Sequence, residues 1–371
     1  MEHSILSEVS NKTLGSYLSK SQFGQELFFP KLFKWKRTPL VNFEVLIAAS
    51  GNRIAGDVCS WNSTSPQKTR KIIGKLSGEL APIKLHRKMD EKDINQYNAL
   101  KALNASLNEI YDLVFEDTDF CMNGCLARLE WMCLQALSRF AITLTASNSA
   151  GLVTETDIDF QLADANKEVC AAANRYWTTA NSATSLPVTD ITTICAEARA
   201  AGVKAKYILM NTSKFTAFAA SDEVTDLVYS NLVTAGITKP SLAIGIDSVN
   251  AALISKALPQ IIVVDSYVDI EDADHTQTGS DCWEDANGAD RYVTFIPDAP
   301  VGSILHAPSP EETTKPKQVT QAKKSNVLIS KWSTVDPTNE ITKGEISAFP
   351  IIDRIAEMWS LDTESHTTWG A

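Results

Sequence analysis

The sequence predicts an α+β fold in which a long hairpin and a long helix stand apart from a mixed body. Three observations carry this. Two extended apolar runs flank a polar stretch at 61–67, the pattern of paired strands round a tip. A stripe of Met122, Cys125, Leu129, Met132, Cys133, Ala136, Leu137 and Phe140 repeats at helical spacing. From 153 onward, short strand and helix patterns alternate.

Residues 1–44 read as an arm. Phe23, Leu27, Phe28, Phe29, Leu32, Phe33, Trp35 and Phe43 are interleaved with Lys31, Lys34, Lys36 and Arg37. Pro30 and Pro39 forbid one long helix there, since proline lacks the amide donor and clashes with the preceding turn. A segment this aromatic needs a surface, either its own domain or a neighbour's. Residues 45–92 read as the hairpin. Val41, Phe43, Val45 and Ile47 alternate on the way out, and Ile72, Ile73, Leu76, Leu80, Ile83 and Leu85 mark the return. The return carries Lys68, Arg70, Lys71, Lys75, Lys84, Arg87 and Lys88. Two strands alone are marginal in water, so the hairpin must lie on something.

Ile94, Tyr97, Leu100, Leu103, Leu107, Ile110 and Val114 predict a helix over 92–115. Glu116-Asp-Thr-Asp119 then reads as a helix start, because carboxylates favour the positive end of the helix dipole. The second helix runs over 119–144, roughly 38 Å at 1.5 Å per residue, a strut rather than a small core helix. Val153 to Leu162 alternates as a strand. Pro187 opens a helix that Gly202 closes. A strand over 206–211 follows, then a helix capped by Thr212 or Ser213, a helix over 249–258, and strands over 260–270 and 292–296. The polar stretch 307–326 reads as a surface loop, and the last strands fall within 327–332 and 346–361.

At 371 residues, 44% hydrophobic and 21% charged, the chain is an ordinary globular mix of two or three domains. No apolar run is long enough for a membrane span, and Met1 to Lys20 carry no apolar signal core. The seven cysteines read as reduced thiols, and Cys121 with Cys125 as two buried ones rather than half of a metal site. The net charge of −11 hides an asymmetry: residues 31–90 hold 12 Lys+Arg against 4 Asp+Glu, and residues 91–371 hold 20 against 38. Such a basic segment on an acidic body attracts a polyanion or another copy of the body. No phosphate loop, dinucleotide fingerprint, nucleophile elbow or zinc-helix motif is present. Asp272, Asp274, His275, Asp281, Glu284 and Asp285 lack EF-hand spacing and read as a solvated acidic loop. This bareness points to a structural protein.

Several segments, taken in order, give the chain a resemblance. They are Leu27-Phe-Phe29, Ala81-Pro-Ile-Lys-Leu-His-Arg-Lys-Met89 with Glu91-Lys-Asp93, and Arg128-Leu-Glu130 with Gln135-Ala-Leu137. Next come Pro187, Asp190, Gly202 and Tyr207-Ile-Leu-Met-Asn211, and last Phe295-Ile-Pro-Asp298 with Ser347-Ala-Phe-Pro350. In this order they resemble the major capsid protein E family of tailed bacteriophages, which has the HK97-type shell fold. Members often follow the helix motif with Gly-Lys, and Ser138-Arg-Phe140 departs from that.

The resemblance implies an arm (1–44), an E-loop hairpin (45–92), a peripheral domain (93–185) with its spine helix, an axial domain (186–324) and a return to the peripheral domain (325–371). It implies a structural subunit without cofactor or metal. Hexamers and pentamers would close an icosahedral shell around double-stranded DNA, bound without sequence specificity. Partners would be a separate scaffolding protein, a portal and decoration proteins, with no membrane. The location would be the virion, after assembly in the bacterial host cytoplasm. Expected inter-subunit contacts are Phe28, Phe29, Phe33 and Trp35 in the arm and Lys68, Arg70, Lys71 and Lys75 in the hairpin. Some shells of this fold join a hairpin lysine to a neighbour's asparagine. Lys68, Lys71 and Lys75 would be the donors here, but the sequence names no partner. Rival readings are an encapsulin-like shell around protein cargo, another virion component, and an α/β enzyme using a Cys or acidic cluster.

Overall fold

The computed structural model describes residues 6, 10–21, 23, 26–39, 42–48, 72–80, 82–103, 107–145, 147–149, 156–232, 244–271, 276–284, 290–314 and 319–370. Helix α1 (Asn11–Lys20) starts at Ser10, whose hydroxyl accepts the Thr13 N–H at 3.1 Å. One turn, α2 (Phe29–Leu32), has Pro30 near its start and feeds directly into β1 (Phe33–Arg37). Strands β2 (Asn42–Ala48) and β3 (Ile72–Glu79) pair antiparallel, from Asn42 opposite Glu79 to Ala48 opposite Ile72. The return run does not continue in the hairpin. It breaks before β4 (Pro82–Met89), which joins a different sheet.

Helix α3 (Glu91–Ala102) has a capping box, in which the Asp90 N–H donates to the Asp93 carboxylate at 3.2 Å. Helix α4 (Leu107–Arg139) has 33 residues, about 50 Å at the α-helical rise. It begins twelve residues before the predicted start. The acidic cluster lies inside it and is held by groups from elsewhere. Arg87 pairs with Glu116 at 3.0 Å and Asp117 at 3.3 Å, and the Tyr17 hydroxyl donates to Asp119 at 2.6 Å. Buried Phe140, at φ 54°, ends the helix. The last residues expected to be helical form β5 (Ala141–Leu144), paired with β6 (Thr156–Asp159).

After β7 (Lys167–Val169) comes α5 (Pro187–Ala200), followed by Gly202 at φ 82°. Glu223 caps this helix from outside, accepting the Val188 and Thr189 N–H groups at 2.7 and 3.2 Å. Strand β8 (Tyr207–Asn211) leads into α6 (Thr212–Ala219). Its cap is Asn211, not Thr212 or Ser213: the Asn211 side chain accepts the Lys214 N–H at 2.9 Å. Then follow α7 (Asp222–Leu232), α8 (Ile246–Ser255) and β9 (Gln260–Val264). The run predicted as one strand over 260–270 is two, because β10 (Tyr267–Glu271) turns away to pair with β11 (Gln277–Asp281). The chain closes with β12 (Tyr292–Ile296), β13 (Gly302–Ala307), α9 (Pro310–Thr314), β14 (Thr320–Lys324), β15 (Val327–Val335), β16 (Thr338–Ile351) and β17 (Trp359–Asp362). The stretch expected as a loop over 307–326 therefore holds a helix turn and a strand. Polar β14 lies at a sheet edge that α1 covers: the Gln321 N–H donates to the Asn11 side chain at 2.8 Å, and Lys324 donates to the Leu18 and Ser21 carbonyls.

Two sheets organise these elements. The first has the order β1-β13-β16-β15-β14, with β4 also on β16, and α4 packs across it. The second has the order β7-β17-β12-β8-β9, with α5, α6, α7 and α8 burying apolar side chains in its core. Strand pairing crosses the boundaries drawn from sequence. β13 and β14 belong to the sheet of the arm and β16, and β17 belongs with β8 and β12.

Candidate assembly surfaces

The arm finds its surface within its own chain. Glu130 of α4 is 0% exposed, and its carboxylate oxygens accept the Phe28 and Phe29 N–H groups, each at 2.8 Å. Burial raises its pKa, and the two amides, the Ser266 hydroxyl and Lys31 oppose that rise. Phe29 and Phe33 are buried in the core beneath, and half-buried Phe28 and Trp35 pack on it. Trp35 stands edge-on to Phe29 (6.1 Å between ring centres) and to His306 (5.7 Å). A methyl added to Gly302 would lie 2.2 Å from the Ile351 carbonyl and 2.6 Å from the Phe33 ring, so β1 sits as close as a glycine allows. Phe29 and Phe33 are thus covered within their own chain, while Phe28 and Trp35 keep part of their surface open, and the expected contact of these four aromatics with a neighbouring subunit stays an expectation. The sequence shows that the rings need cover, but the partner that fixes them lies about 100 residues away. Arg128-Leu-Glu130 stood out as a motif, yet nothing local ties it to the arm.

The hairpin behaves differently. Its strands β2 and β3 form a two-stranded sheet of their own. Lys68, Arg70 and Lys71 lie outside the described residues, and Lys75 occupies the β3 position opposite Leu46. The root of the hairpin is held firmly. β4 pairs with β16 from Pro82 opposite Ser347 to Met89 opposite Glu340. Buried Glu345 lies 3.4 Å from Lys84 and 2.9 Å from Lys343. Arg87 stacks on Phe120, 5.0 Å from the ring centre. A methyl at Gly344 would stand 2.7 Å from the Cys121 carbonyl, and one at Gly124 would stand 3.0 Å from Leu85, so α4 presses directly on β16 and β4. Beside this contact Lys331, 1% exposed, donates to the Val114 carbonyl at 2.6 Å. Burial lowers its pKa to about 8 against the pull of Glu340 and Asp117.

Among the described residues no group of three or more His, Cys, Asp or Glu is placed to hold a metal. Cys121 and Cys125 are buried, and burial pushes the Cys121 thiol up to about 11, away from the reactive thiolate. No helix in the described residues is long and apolar enough to cross a membrane. The arrangement is a braced frame joined to a hairpin that forms a two-stranded sheet of its own. A family model described as phage major capsid protein E matches residues 60–363. The chain belongs to that family. As a phage major capsid protein it has a structural shell role and is not an enzyme, and its place is the capsid of a virion.

The fold is the HK97-type capsid fold. A protein described as a prophage capsid protein from E. coli CFT073 superposes with TM-score 0.57 at 13% identity, over 95% of this chain and 99% of the other. A phage-related protein from Bordetella bronchiseptica RB50 superposes with TM-score 0.54 at 12% identity, over 96% and 97%. No curated protein sequence matches the chain.

Proposed function

We propose that this capsid subunit assembles through hexamers and pentamers into an icosahedral shell around double-stranded DNA, and that its 42–79 hairpin lies over an adjacent subunit as an E-loop. One observation carries the proposal. The hairpin strands pair only with each other among the described residues, on a root fixed to α4 and β16. A two-stranded sheet of this kind is marginal alone and gains stability by lying on a second surface. The β1–β13–β16 sheet with α4 serves as the peripheral domain, and the β8–β12–β17 sheet as the axial domain. The acidic body suits a wall that holds phosphate weakly. A separate scaffolding protein, a portal and decoration proteins are its further partners in this reading. Assembly takes place in the bacterial cytoplasm.

The test is to replace residues 49–71 by an Asn-Gly turn, which suits the twist of paired strands. The variant should keep the circular dichroism of the free subunit and give no closed shells by negative-stain microscopy. Normal shells would refute the hairpin's role. Protein cargo in place of nuclease-protected DNA in wild-type particles would favour an encapsulin-like container.

A further inference from the structure

Between Asp265 and Asp290 the sequence holds nine carboxylates and no lysine or arginine. The structure sorts the described ones by direction. Asp281 turns inward, accepting the Trp283 N–H at 2.8 Å and the Asn211 side-chain amide at 3.2 Å. Asp290 lies 3.5 Å from buried Lys214. Asp265, Asp269 and Glu271 are exposed. Tyr267, Asp269 and Glu271 alternate along β10 and so share one face, since successive strand residues point to opposite sides. Val268 and Ile270, on the other face, pack against the core beside α4. Exposed Asp265 precedes the strand by two residues.

This face is open in two further respects. Asp269 sits opposite Gly279, which brings no side chain to cover it, and Glu271 sits opposite Gln277, which donates to it at 3.3 Å. β10 pairs with β11 alone among the described residues, so its outer edge of N–H and C=O groups remains available for another strand. Like charges aligned on one strand repel, so a matching row of cations stabilises such a face. The same chain carries that row. Lys68, Arg70, Lys71 and Lys75 are four cations within eight residues that hold no carboxylate.

We propose that the acidic face of β10, with Asp265, Asp269 and Glu271, is the docking surface for the basic return segment 68–75 of a second copy's hairpin. This rests on the reading of the hairpin as an E-loop and adds the surface that receives it. Charge complementarity selects the occupant, and the edge of β10 that is unpaired among the described residues leaves room for it beside the acidic face.

The test is a charge swap. The triple variant Asp265→Lys, Asp269→Lys, Glu271→Lys and the fourfold variant Lys68→Glu, Arg70→Glu, Lys71→Glu, Lys75→Glu should each stay folded and fail to form shells. The sevenfold combination, complementary again between copies, should recover shells by sedimentation and microscopy. A milder pair, Asp265→Asn with Asp269→Asn, keeps the fold secure. It should raise the subunit concentration needed for assembly roughly tenfold, with a weaker salt dependence, since exposed pairs are individually weak and screened. If the triple and the milder variant assemble like wild type, the docking surface is wrong, while the hairpin's role still stands on the 49–71 replacement. If both reversals block assembly and the combination does not restore it, the two surfaces do not meet and the inference also falls.

Discussion

Replacing Glu130 by alanine should loosen the arm from the strut helix. The wild-type carboxylate accepts the Phe28 and Phe29 amides, both at 2.8 Å, in a fully buried position. Hydrogen bonds to a charged group contribute about 1.5–3 kcal/mol each. Against this stands the desolvation of the carboxylate, visible in its raised pKa. A net loss of about 3 kcal/mol follows, and for a chain of this size each kcal/mol moves the melting temperature by roughly 2 °C. Calorimetry of the unassembled subunit should therefore show Glu130→Ala melting about 6 °C lower. Glu130→Gln, which keeps one acceptor oxygen, should lose less. Limited proteolysis should cut Glu130→Ala within residues 10–40 first. Deleting residues 1–40 removes Phe29, Leu32 and Phe33, buried side chains that contribute about 1.5–3 kcal/mol each, and should lower the melting temperature further. An unchanged melting temperature for both Glu130→Ala and the deletion, with only assembly impaired, would refute the reasoning and return the aromatics to a neighbouring subunit.

Gly344→Ala should destabilise the free subunit by about 1–3 kcal/mol in denaturant titration, because the new methyl meets backbone at 2.7 Å. Gly15→Ala, within α1 and with nothing inside 4 Å, should be neutral or gain about 0.5–1 kcal/mol; equal losses at both sites would contradict the close approach of α4 to β16. Lys331 titrates near 8 when folded against 10.5 when free, so between those values only the unfolded chain binds its proton. Its contribution to stability therefore rises with pH from about 8 to 10.5 and is flat on either side. Lys331→Met should abolish that rise and cost about 3 kcal/mol at pH 7, where Glu340 and Asp117 lose the attraction of Lys331 although Asp117 keeps Arg87; parallel pH profiles for the two proteins would count against this account.

The helical stripe from Met122 to Phe140 was legible because its period is local. The helix start was not. Glu116, Asp117 and Asp119 have the composition of a helix N-terminus, but their partners are Arg87, Lys331 and Tyr17, which only the tertiary fold brings near. β12 showed as an apolar run with a proline after it, whereas β14, reading Thr-Gln-Ala-Lys-Lys, offered no alternation because an edge strand needs none. The break at Asp265-Ser266 is equally silent, since the residues on both sides are good strand formers. For the candidate surfaces, the charge excess of each segment could be counted along the chain. Which carboxylates turn outward depended on the pairing of β10 with β11 and its seat beside α4.

The first sheet places residue 33 beside 302, 303 beside 351, and 82 beside 347. Contacts this distant in sequence form late, because the intervening loop must close before any pairing rewards it. During synthesis, at roughly 5–20 residues per second, the arm, hairpin and strut helix emerge well before β16. Until β16 arrives, β4 lacks its partner strand, Glu345 and Lys343 are missing from the hairpin root, and α4 has no sheet to press upon. A nascent chain thus shows no fixed hairpin to its neighbours on the same messenger. Because β16 is central to the sheet, the hairpin root can take its final form only after residues up to 351 have been made.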